Sequence, residues 1–200
     1  MKHIKVWEIS LLVALCITFC TGLFAKAEQN RLSSELIRLH VIANSDSTDD
    51  QSAKLKVRDS VLEVLTPMLE GAGSTGEAES IIESALPELC AESEESLRNS
   101  GKYYSARAEI CREVYPTRSY EGFALPAGDY VSLKIILGEG QGHNWWCVVF
   151  PPLCMTAVED EDAFSGLSDE TEKLISCDES EYRVKFRIIE LYEQLRQGFK

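Results

Sequence analysis

Residues 143–154, HNWWCVVFPPLC, place one histidine, two tryptophans, two cysteines and two prolines in one short run. Three kinds of chemistry could use them. A nucleophile at Cys147 would need a base, and His40 and His143 are the two histidines outside the N-terminal leader. Yet Cys147 sits among apolar neighbours that hide a thiol and raise its pKa, and no nucleophile motif surrounds it. A disulfide could join Cys147 to Cys154, the shortest-range pair, across the Pro151-Pro152 turn. The third use is recognition. His143, Asn144 and Trp145 leave a glycine loop at the start of an apolar strand, and Pro151 and Pro152 form a stiff shoulder at its end. An exposed tryptophan on such a strand is the residue type that dominates binding energy. Trp145 shares its face with Cys147 and Val149, and Trp146 shares the bulkier face with Val148 and Phe150. Trp146 is therefore expected to be structural and Trp145 the contact residue; a core role for both stays open.

Other patterns carry less. GEGQG (138–142) has the wrong spacing for a phosphate loop, leads into a strand and contains Glu139, so a mobile hairpin is expected. NSDSTDD (44–50) offers oxygens at alternate positions. It lacks the sixth-position glycine of a calcium loop and has Leu55 in place of the closing glutamate, so helix capping accounts for it. Three dispersed histidines and no CxxC give no metal site and no cofactor. Of Cys90, Cys111, Cys147, Cys154 and Cys177, an odd set, at least one stays unpaired or none is bonded. Cys111 is the expected free thiol and Cys90 a small core residue.

The elements that position these residues start with a leader. Lys2, His3 and Lys5 precede an uncharged stretch from Ile9 to Ala25, and Ala25-Lys26-Ala27 has the small residues of a signal-peptidase site. Cleavage after Ala27 is expected, with retention as an anchor the alternative. Residues 1–27 are then a signal peptide and 28–200 one exported domain. With 33 acidic and 20 basic residues and a formal charge of −13, the chain is repelled by nucleic acid and anionic lipid. Neither is an expected partner, and no stable membrane binding should remain after cleavage.

Period-2 alternation marks strands at 36–44, 103–115, 129–138 and 144–150. The last is apolar on both faces, so a central or covered position is expected. Helical spacing predicts a helix over about 49–66, capped from Thr48 and ended or kinked at Pro67. A second starts near Ser74, with Pro87 as a kink or break. The tail reads as helical, with Ser168 and Ser176 as caps, although 182–188 also alternates. The sum is an α+β domain: one compact unit, an antiparallel sheet with helices packed on one side, preceded by an apolar helix.

Three stretches together resemble one family. IRLHVIANSDSTDDQ (37–51), KVRDSVL (56–62) and LPAGDY with LKIILGEGQGHNWWCVVFPPLC (125–154) are similar to stage II sporulation protein R. The resemblance covers most of the exported domain; 70–100 and the tail past 156 match only in layout. It implies a signal secreted by the forespore into the septal intermembrane space. That signal activates a membrane-embedded aspartic protease of the mother cell, which releases the early mother-cell sigma factor from its precursor. No catalytic residue comes with it. Two readings from other classes remain: an exported thiol-dependent or wall-associated enzyme using Cys147, and a septal structural protein that does not signal. Receptor contacts and oligomeric state are not implied.

Overall fold

The computed structural model describes residues 5–120 and 123–152. Its first element, α1 (Val6–Glu35), is one unbroken helix. By length and composition it could cross a membrane, and it lies near the N-terminus as a signal sequence does. Its apolar part is exposed as far as Ala27, whereas Gln29, Leu32, Ser33 and the following Leu36 are buried against the domain. Gln29 Nε2 donates to the Ala127 carbonyl at 2.5 Å.

Strand β1 (Ile37–Ile42) follows. Its alternation sends Ile37, Leu39 and Val41 under the helices and Arg38 and His40 to the opposite face, where they too are buried. Helix α2 (Thr48–Leu69) is capped by Ser47, one residue before the expected Thr48: the Ser47 hydroxyl accepts the Asp50 N–H. The helix runs past Pro67, which costs it one backbone bond in a last turn whose bonding is incomplete anyway. Helix α3 (Thr75–Asn99) is continuous through Pro87. Ser74 accepts the Glu77 N–H and the Glu77 carboxylate accepts the Gly73 N–H, the expected start. It ends at Gly101, whose positive φ lets Gly101 N–H reach the Arg98 carbonyl and Lys102 N–H the Leu97 carbonyl.

The remaining strands are β2 (Ala106–Tyr115), the short pair β3 (Arg118–Tyr120) and β4 (Phe123–Leu125), β5 (Gly128–Leu137) and β6 (Asn144–Phe150). The main sheet has the order β2-β5-β1-β6, with α2 and α3 packed on one face around Val57, Val61, Leu65, Ile82 and Leu89. The α+β class holds, but the sheet is mixed: β1 runs parallel to β5, and the other pairs are antiparallel. Two helices and three strands, β2 to β4, separate β1 from β5, so no tight turn sets their relative direction.

Two further readings are corrected. Residues 138–143 are not a hairpin, because β1 lies between β5 and β6 and the loop must cross the end of β1. Among the described residues β6 is an outer strand, not a central one. Its two apolar faces arise because one meets the helices and the other meets the aromatic residues around Arg38. Phe150 also changes sides. A register shift next to Ile37 places it opposite that residue, so Phe150 joins the helix-side core with Cys147 and Val149.

Candidate functional site

Hydrogen bonds tie the crossing loop to the end of β1 and the corner that follows it. Gly138 N–H donates to Ser105 O, Gln141 N–H to Asn44 O and Gly142 N–H to Ala43 O. Asn44 Oδ1 accepts the Glu139 N–H at 2.9 Å. His143 N–H donates to Asp46 Oδ1 at 2.6 Å, and the His143 carbonyl accepts from Lys54 Nζ at 3.0 Å. The glycines serve close approach: a Cβ on Gly142 would lie 2.3 Å from the Ser45 carbonyl oxygen. NSDSTDD is thus the seat of the loop as well as a helix cap.

Asp50 is the hub of that seat. Nearly inaccessible, it accepts from Ser45 Oγ at 2.6 Å, Asn44 Nδ2 at 2.8 Å and Tyr104 OH at 3.0 Å, and pairs with Lys102 Nζ at 2.9 Å. The Ser45 bond foremost, with those of Asn44, Lys102 and Tyr104, outweighs burial and holds its carboxyl well below the usual carboxylate range. Burial, reinforced by Asp50, pushes the Tyr104 phenol up. Burial lowers the Lys54 ammonium.

A cleft of about 630 Å³ opens where this corner meets β6, lined by Asp46, Gln141, His143, Asn144, Trp145 and Trp146, with Arg118 from β3. The two indoles diverge, as neighbours in a strand must. Trp145 shares the helix-side face with Cys147 and Val149 but lies at its end, 36% exposed, with the Arg58 guanidinium 4.4 Å from its ring centre. Trp146 lies half-buried on the other face, 5.7 Å from the His40 ring and under Arg118 at 4.0 Å. Trp145 is the more exposed of the two, although it, and not Trp146, shares a face with the helix-packed core. The His143 side chain is 79% exposed and pairs with Asp46, and that bond lowers the Asp46 pKa.

The structure therefore gathers His143, Asn144 and Trp145 but not the prolines. Pro151, buried, and Pro152, exposed, lie at the far end of β6. Cys147 is buried beside the helices and disulfide-bonded. Cys154, Cys177 and the predicted tail elements lie outside the described residues. His40 points to the opposite sheet face from Cys147, so the proposed base does not approach it. Cys90 and Cys111 are free, and burial raises the Cys111 thiol pKa.

Sequence reasoning missed the other sheet face. There Arg38 stacks 3.9 Å over Tyr115, Tyr115 OH meets Ser132 Oγ at 2.6 Å, and Glu113 bridges His40 Nδ1 at 2.9 Å and Lys134 Nζ at 3.0 Å. Burial pulls the Glu113 pKa up, but His40 and Lys134 outweigh it and the net shift is downward. Glu113 in turn raises Lys134. Arg118 was missed as well, since the turn-rich 115–130 segment gives no period. Among the described residues no group of three or more histidine, cysteine or acidic side chains could hold a metal ion.

The stage II sporulation protein R family model matches residues 33–160, from the last turn of α1 onward. The chain belongs to that family. It is 36% identical over 150 residues to stage II sporulation protein R of Bacillus subtilis strain 168, covering 72% of this chain and 67% of that one. The family match takes in the Asp50 hub, the crossing loop and all of β6, and leaves out the apolar part of α1. The matching names are those of a sporulation protein, not of an enzyme. No solved structure matches the chain.

Proposed function

We propose that this chain is an exported signal of endospore formation. It leaves the forespore, enters the space between the septal membranes and activates a membrane-embedded aspartic protease of the mother cell. That protease then releases the early mother-cell sigma factor. Family membership over the whole described sheet carries the reading. The change from exposed to docked residues between Ala27 and Gln29 supports cleavage after Ala27. A pinned loop presenting Trp145 supports a ligand, because a preorganised surface loses little entropy on contact. A thiol enzyme at Cys147 is disfavoured by its disulfide.

Co-expression with the protease and the sigma precursor, in a host that does not sporulate, tests it. Precursor cleavage should depend on this chain. A soluble, exported chain that leaves the precursor intact would refute the signalling role.

A further inference from the structure

We infer that the cleft at the start of β6 receives an acidic side chain of a protein partner, with Arg118 as its counter-ion and the Trp146 indole beneath it as an apolar wall. This deepens the signalling reading by assigning the chemistry of the contact.

The argument begins with the cations around the cleft. Arg58 lies on the outer indole and is paired to its neighbour Asp59. His143 is engaged by Asp46. Arg118 differs. Its guanidinium stacks on Trp146, its Nε is buried without a hydrogen-bond acceptor, and among the described residues no carboxylate pairs with it. A guanidinium fixed flat on an indole is preorganised for a planar carboxylate. Asp46, the acid in the cleft, is already met by the His143 N–H and ring, so the incoming carboxylate turns to Arg118.

Charge and shape select the partner class. A chain of net charge −13 is repelled by polyanions such as nucleic acid and anionic bilayers. One carboxylate beside an apolar side chain meets one arginine and the indole it lies on. Protein segments carry that combination.

The test uses the full exported domain and two acetylated, amidated peptides of about six residues. One alternates valine with glutamate and the other valine with glutamine. Indole fluorescence follows binding. The glutamate peptide should bind at least about tenfold more tightly, and Arg118→Gln should erase that preference while the thermal midpoint stays near wild type. Equal binding of the two peptides, no binding of either, or an undiminished preference in Arg118→Gln would overturn the inference. So would equally tight, Arg118-dependent binding to phosphatidylglycerol vesicles, which would assign the cleft to lipid. If Arg118→Gln does not fold, the comparison of the two peptides on the wild-type domain decides alone. Binding is read without any protease. A glutamate preference with no precursor cleavage would refute the signalling role and leave the cleft's chemistry standing; the reverse result would do the opposite.

Discussion

The corner at residues 43–50 and the cleft beside it are neighbours built on opposite terms. In the corner the buried carboxylate and the loop amides are answered from within the chain: Asp50 by Ser45, Asn44, Tyr104 and Lys102, and the loop amides by Ala43, Asn44 and Asp46. In the cleft Trp145 is over a third exposed, the His143 ring faces solvent, and Arg118 has a buried nitrogen without an acceptor among the described residues. The first arrangement is a scaffold, because its buried polar groups are answered within it. The second is a surface held in shape by that scaffold. Contact residues should therefore be sought where satisfaction is incomplete, beside rather than within the densest polar network.

That contrast breaks most visibly at Asp50. Asp50→Ala should cost about 3 kcal/mol, the scale for stripping a buried charge from its partners, measured by denaturant unfolding. Activity per folded molecule should fall as well, because Asn44, which holds the loop amide of Glu139, loses its Asp50 partner. Gly142→Ala comes next, at about 2 kcal/mol, because the added methyl collides with the Ser45 backbone and the loop must lift. Here activity should fall further than stability, since the loop carries His143 and Asn144.

A pH series sharpens the same point more gently. The Asp50 pKa is depressed in the folded chain, so its stabilisation is complete above the unfolded value near 4 and is lost as pH falls below it. Stability of the wild-type domain should decline below about pH 4. The decline should be shallower in Asp50→Asn, as read from unfolding midpoints at successive pH values.

The sequence made parts of this legible and concealed others, for separable reasons. Local signals carried through: the alternation of β1 and the start of α3 at Ser74 depend on neighbours in the chain. Pairing across distance did not. Placing β1 between β5 and β6 requires contacts some 100 residues apart, such as Ile37 with Val131 and Phe150, and nothing in the strand sequences specifies them. The error about the glycine loop followed from this. Read as a hairpin its glycines suggested mobility; laid across β1 they permit close approach. The site was half legible. Trp145 and His143 were identifiable as aromatic and polar residues at a loop–strand junction. Arg118 and the His40–Glu113–Lys134 group were not, because they meet only when β1, β2, β3 and β5 are assembled.

The division between scaffold and surface is tested most directly at Trp145. The measurement is a dose–response for precursor cleavage by Trp145→Ala beside its unfolding free energy. Trp145 is partly exposed and touches Arg58 at the end of the core, so its loss should cost at most about 1 kcal/mol of stability. The dose for half-maximal cleavage should rise at least about tenfold, consistent with a contact residue of hot-spot class. A folded Trp145→Ala domain that activates as well as wild type would contradict the account, as would one whose lost activity is matched by lost folded protein.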